Sequence, residues 1–344
     1  MKNSTSVESK ISKDKNEGKI LARKTIVPGK GVKAIEKINK ILKMLFRSAL
    51  IALILVATCT YIFFCPPILT ATNGSFLLFP FPAGEEFKCD SINNIKRDDV
   101  YFQNKNGDKL NGWFFQNPAP DAPVVLFSHG NGGNIGHRVF LIKALMDAGA
   151  SVFIYDYRQY GRSSGTKNLV GTIEDANAAF DYLTQTRHIP EQQIVLYGES
   201  IGGGPTCQLL ATRGVRGVIL DSTFTSLLAV GKKKVNYFKL YPDFFTPIPA
   251  FDNRAAISAK HPPLLIIHGQ KDDLIPPSEA QENFDAASEP KMLVLLPKST
   301  HNSKAEDFAL YVESLRQFLA GLEPGAGHVG SPKPGIKLGQ AITG

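Results

Sequence analysis

Cysteine, tryptophan and methionine are scarce in this 344-residue chain: four Cys, one Trp and four Met. Four cysteines, with no C-x-x-C pair, exclude a disulfide-scaffolded mini-protein. Cys89 is isolated, and no structural disulfide is expected. Charge is unevenly distributed. Residues 1–47 hold thirteen Lys/Arg and four Asp/Glu, while the remainder holds 26 basic and 27 acidic residues. The net charge of +8 therefore belongs to an N-terminal arm, and a body of net −1 excludes a uniformly basic nucleic-acid face. No internal repeat is found. A hydrophobic fraction of 43% excludes wholesale disorder and collagen-like structure.

The longest absence is of all charge. No Asp, Glu, Lys or Arg occurs between Arg47 and Glu85. Within that run, residues 48–68 are almost wholly apolar and as a helix would span roughly 31 Å, about one bilayer core. Pro66 and Pro67 would end the helix, with Tyr61, Phe63 and Phe64 near the interface. A buried core helix seldom runs so long without charge. A signal peptide rarely follows a 47-residue basic leader, and Thr58 suits poorly a lipoprotein signal ending at Cys59. The expectation is a single-pass membrane helix over 48–68, with a cytosolic N-terminus and the body on the opposite side. Ahead of it, 1–31 is polar and Lys-rich, a disordered basic arm. Ile35, Ile38, Ile41, Leu42 and Leu45, interleaved with lysines, predict a separate basic amphipathic helix over 32–47 that lies on anionic lipid.

Residues 69–97 are expected to be a linker. From about residue 98, short β-rich runs alternate with helical stretches, and several runs, such as Val124–Ser128 and Leu264–His268, are continuously apolar. That pattern predicts an α/β domain over 98–320, with a largely parallel eight-stranded sheet, an antiparallel start and helices on both faces. A Gly/Pro-rich tail over 321–344 is expected to be flexible.

Gly198-Glu199-Ser200-Ile201-Gly202 lies between a predicted strand and a predicted helix. A serine on such a strained turn is lifted above the sheet, over a helix N-terminus that favours developing negative charge. A serine hydroxyl needs a base, and the base an orienting carboxylate. Asp272 follows the strand Leu264–His268, and His301 follows the strand Met292–Leu296. Ser200, Asp272 and His301 thus stand in order, each beyond a strand's C-terminal end, where open α/β sheets bind ligands. Asp273 is a rival carboxylate next door. After Val124–Ser128 comes His129-Gly130-Asn131-Gly132-Gly133-Asn134. We assign the oxyanion hole to the backbone N–H groups of Asn131 and Ile201, and a structural role to His129. The alternative, a phosphate loop, lacks a G-x-x-x-x-G-K-[ST] or G-x-G-x-x-G match there.

Together HGNGGNIGHR at 129–138, YDYRQYGRSSG at 155–165, GESIGG at 198–203 and HGQKDDLIP at 268–276, with His301-Asn302 beyond, resemble the α/β-hydrolase superfamily. The likeness is greatest to small membrane-anchored α/β-hydrolase domain proteins, a branch that includes depalmitoylases. The resemblance implies Ser200 as nucleophile, Asp272 as acid and His301 as base. Gln159 stands where the branch usually has Gly, and with no Asp at position 200, Asp-nucleophile chemistry is disfavoured. Residues 222–262 hold Phe224, Tyr237, Phe238, Tyr241, Phe244, Phe245 and Phe251, read either as an acyl-accepting lid or as ordinary helix packing. Lys232–Lys234 are taken as a solvated face, and Cys207 as a buried small hydrophobe. The expected function is a membrane-anchored serine hydrolase of an ester, thioester or amide, with no metal or cofactor. Its expected partners are a small or acylated substrate and membrane lipid, with no nucleic acid and the oligomeric state left open. A serine peptidase and a non-catalytic membrane scaffold are the alternatives.

Overall fold

The computed structural model describes residues 7–8, 25–26, 30–63, 78–84, 88–234, 251–322 and 341–343. Two compact units divide at Cys65–Pro66.

In the first unit, Val7–Glu8 pairs antiparallel with Thr25–Ile26. The rest of the expected disordered arm ahead of residue 30 lies outside the described residues. The expected boundary between an amphipathic and a spanning helix does not exist: one helix, α1, runs unbroken from Lys30 to Phe63. A change in composition at Arg47 is not a helix breaker, and no Pro occurs between Pro28 and Pro66. Gly31–Ile62 is long and apolar enough to cross a membrane. Phe64, Pro66 and Pro67 lie outside the described residues.

The second unit is built on one sheet. Its strands are β1 (Asp98–Gln103), β2 (Lys109–Phe115), β3 (Val124–Ser128), β4 (Ser151–Tyr155), β5 (Ile194–Glu199), β6 (Gly217–Asp221), β7 (Leu264–Gly269) and β8 (Lys291–Leu296). The order is β1-β2-β4-β3-β5-β6-β7-β8, and Ala341–Thr343 adds a ninth parallel strand, β9, beside β8. That strand departs from the expectation of a flexible tail; residues 323–340 lie outside the described residues. β1 and β2 pair antiparallel with each other, β2 pairs antiparallel with β4, and every other pairing is parallel.

Alternation along the strands divides the core in two. Val125, Phe127, Ile154, Val195 and Ile267 point to one face, where they meet α2 (Val139–Asp147) and α8 (Phe308–Gly321). Leu126, Phe153, Leu196, Leu220 and Ile266 point to the other. There lie α3 (Gly171–Asp181), α4 (Gly203–Leu210), α6 (Asn253–Ser258) and α7 (Ser278–Ala286). Between β6 and α6 sits α5 (Leu227–Lys234). Burial of both faces is why the strands read as apolar runs rather than alternating ones.

Two expectations, the linker and the solvated lysine face, need correction. The linker over 69–97 is part of the domain from residue 78. Leu78 is buried, Pro80 and Pro82 bridge to Gly133 and Gly161, and Ile92 in a short hairpin joins the core. In the aromatic segment, Phe224 and Phe251 pack in the core. The ring of Phe251 fills the space where Gly204 would carry a Cβ. Tyr237, Phe238, Tyr241, Phe244 and Phe245 lie outside the described residues. Lys233 is no free solvated cation: its Nζ pairs at 2.6 Å with buried Glu279 and at 2.6 Å with Glu282.

Candidate active site

β5 ends at Glu199, and the chain turns at once through Ser200–Gly202 into α4. Ser200 sits in the left-handed region at φ +54°. Side chains pay strain of order 1–3 kcal/mol there, which only close packing sustains. The packing is visible at the flanking glycines. A Cβ on Gly202 would lie 2.0 Å from the carbonyl oxygen of Ser128, and one on Gly198 would lie 2.7 Å from Thr206 Oγ1.

The loops after β7 and β8 bring two side chains to this turn. His301 Nε2 lies 3.1 Å from Ser200 Oγ, and His301 Nδ1 lies 2.7 Å from Asp272 Oδ2. Both Asp272 and His301 are buried. Burial works against the Asp272 charge, but hydrogen bonds from His268 and His301, with the attraction of the imidazole, hold its carboxyl well below the usual range. The carboxylate can only accept, so the proton of His301 sits on Nδ1 and the Nε2 lone pair faces the hydroxyl. The other oxygen of Asp272 accepts from the N–H groups of Leu274 and Ile275 at 2.9 and 2.8 Å. Asp272 is thus the carboxylate at the site, rather than exposed Asp273.

The glycine-rich loop after β3 forms another wall. Asn131 Oδ1 accepts from Phe79 N at 2.9 Å and from Tyr160 OH at 3.1 Å. His129 is fully buried, its Nε2 3.5 Å from Asp156 Oδ1, and its carbonyl accepts from Tyr157 OH at 2.9 Å. The 155–165 segment therefore braces this loop from behind, in keeping with a structural role for His129. Gln159 is left-handed at φ +69°, a conformation that favours glycine. Here the Gln159 side chain accepts a 2.8 Å hydrogen bond from Lys167 N, which offsets the strain. Cys207 is buried on α4, and burial pushes its thiol far up.

Several participants are not evident in the sequence. Glu199 accepts from Gly130 N at 2.9 Å and pairs with Arg138 Nε at 2.9 Å. Burial opposes its charge, but Arg138, the Gly130 N–H and Lys304 lower its pKa to about 2. Lys304, three residues after His301, is buried and reaches Asp221 Oδ1 at 3.2 Å. Asp221 Oδ2 accepts from Tyr197 OH at 2.5 Å and Tyr311 OH at 2.8 Å. His268 Nε2 faces Ile275 O at 2.9 Å and Asp272 Oδ2 at 3.2 Å, bracing the acid loop from below. The histidine in the HG motif and the glutamate before the serine are the only local signals for this layer.

Ser200 and His301 open into a cleft of about 730 Å³, with Phe79, Asn131, Phe140 and Leu274 among its walls. A separate cleft of about 860 Å³ beside Tyr101 and Tyr182 contains neither Ser200 nor His301. Among the described residues no cluster of His, Cys, Asp and Glu has the form of a metal site.

A mainly parallel sheet with an antiparallel start, and a serine on the turn after its fifth strand, define the α/β-hydrolase class. The chain belongs to the α/β-hydrolase fold family. The family model for the alpha/beta hydrolase fold matches residues 123–260. The uncharacterized protein YfhR of Escherichia coli K12 is 32% identical over 236 residues, 65% of this chain and 81% of its own length. Protein bem46 of Schizosaccharomyces pombe is 32% identical over 211 residues, 60% of this chain and 70% of its own. An esterase of Pyrococcus furiosus shares the fold with a TM-score of 0.57 and 21% identity, covering 71% of this chain and 98% of that one.

Proposed function

We propose that the protein is a membrane-anchored serine hydrolase that cleaves an ester, thioester or amide through an acyl-serine. His301 Nε2 takes the Ser200 proton as Oγ attacks the carbonyl carbon, and Asp272 steadies the imidazolium through Nδ1–H. The N–H groups of Asn131 and Ile201 receive the oxyanion; one such donor is worth about 3–4 kcal/mol in the transition state. Collapse expels the leaving group with the proton from His301. A water deprotonated by the same imidazole then attacks the acyl carbonyl and frees Ser200.

The observation that carries this reading is the unbroken relay from Ser200 Oγ to His301 at 3.1 Å and on to Asp272 at 2.7 Å. Both distances lie within the hydrogen-bond reach a nucleophile and its base require. Anchoring rests on the apolar helix Gly31–Ile62. A fluorophosphonate probe should label the protein, with mass spectrometry placing the adduct on Ser200, and Ser200→Ala should abolish labelling and nitrophenyl-ester turnover. Labelling that survives Ser200→Ala would sink the assignment, and a folded protein that neither labels nor turns over would be a scaffold.

A further inference from the structure

We infer that the mouth of the Ser200 cleft rests on a lipid surface, so that an amphiphile with a long acyl chain enters the site directly from the membrane. This deepens the hydrolase reading and rests on it and on the anchor. It begins with side chains that no soluble catalytic step requires. Phe79, Phe81, Phe140 and Leu274 are 59%, 53%, 41% and 54% exposed. Three of them, Phe79, Phe140 and Leu274, come from distant parts of the chain yet line the same cleft as Ser200 and His301. The fourth, Phe81, packs edge-on at 5.8 Å against His137, which also lines it. Exposed large apolar side chains gathered around a functional opening mark a site for an apolar partner.

Chain continuity identifies that partner. Phe79 stands sixteen residues after Phe63, the last residue of α1. Even fully extended, sixteen residues reach only about 55 Å. The entering segment also binds the site itself: Phe79 N donates to Asn131 Oδ1, and Phe81 N donates to Gly133 O at 3.1 Å. Buried Leu78 fixes it in the core. Composition agrees. The charge-free run does not stop with α1 but continues for another 21 residues, through Gly84. A charge-free run of that length is the composition that a bilayer, where charge is costly, selects. The charges nearest the reaction centre are paired inward, Arg138 with Glu199 and Lys304 with Asp221.

The sequence supplies its own optical background. Its single tryptophan, Trp113, is fully buried. The full chain would be reconstituted in phosphatidylcholine vesicles, with and without lipids brominated near the headgroup end of the acyl chain. Phe79→Trp and Leu274→Trp should each lose at least half of the added emission to brominated lipid. Tyr101→Trp, on the separate cleft, should lose none beyond the wild type. A cooperative circular-dichroism melting transition like that of the wild type verifies that each variant is folded. Folded rim variants quenched no more than Tyr101→Trp overturn the proposal. So does a rim shielded in a sedimenting dimer, which would make a second copy its occupant. Repeating the quenching with Ser200→Ala keeps this readout independent of catalysis, so a failed hydrolase assignment and a failed lipid rim give different results. If both hold, Phe79→Ser with Leu274→Ser should lower kcat/KM for a vesicle-embedded long-chain ester at least tenfold relative to a short soluble one. An unchanged ratio counts against entry from the membrane.

Discussion

Glu199 keeps its charge in a largely buried place because three partners outweigh its desolvation: the Arg138 guanidinium, the Gly130 N–H and, farther off, Lys304. A carboxyl with an unfolded pKa near 4.5 and a folded pKa of about 2 binds fewer protons when folded. Its contribution to stability is therefore present above pH 4.5 and is lost as pH falls toward 2. Glu199→Gln should destabilise the domain by about 1–3 kcal/mol at pH 7, and the gap should close near pH 2. Urea unfolding at several pH values measures this, and a gap independent of pH would refute the charge argument. Ser200, Asp272 and His301 were legible because each follows a strand end and their chain order matches a known relay. Glu199–Arg138 and Asp221–Lys304 were not, because pairings across 61 and 83 positions leave no local pattern.

At the scale of elements, the turn between β5 and α4 concentrates the constraint. Its left-handed serine is held because the backbone of β3 passes directly beneath Gly202. Neither that carbonyl nor the turn can yield easily to an added methyl, since the carbonyl ends a central strand and the turn joins β5 to a helix packed on the sheet. Gly202→Ala should destabilise by about 3 kcal/mol or more and lower the melting temperature by roughly 6–12 °C, with fluorophosphonate labelling lost. Calorimetry and labelling of the same sample check both parts; a variant that melts like the wild type would mean the loop relaxes freely. The eight predicted strands were readable from apolar runs, but helix boundaries less so. Periodicity marks a buried face and not the first hydrogen-bonded turn. It therefore gives no sign of the short 3-10 turns at Ile135–Arg138 and Ser200–Gly202 that precede α2 and α4. The same weakness placed a boundary at Arg47 inside what is one helix.

For the whole molecule, the length of α1 decides how charge and membrane fit together. Its 34 residues extend about 51 Å, well beyond a hydrocarbon core of about 30 Å. Met44–Phe63 alone fills that core, placing Arg47 within the first turn, where its long stem can carry the guanidinium to the headgroups. Lys33, Lys37, Lys40 and Lys43 precede that stretch, on the side where such a bilayer would present its headgroups. All the excess positive charge precedes the span, while the body is near neutral. By the positive-inside rule we propose that the arm lies on the cytosolic side and the domain on the far side. Protease added to sealed vesicles with the cytosolic face outward should remove only the arm, leaving a domain whose Ser200 still labels after detergent is added. Digestion of the domain from that face would reverse the orientation.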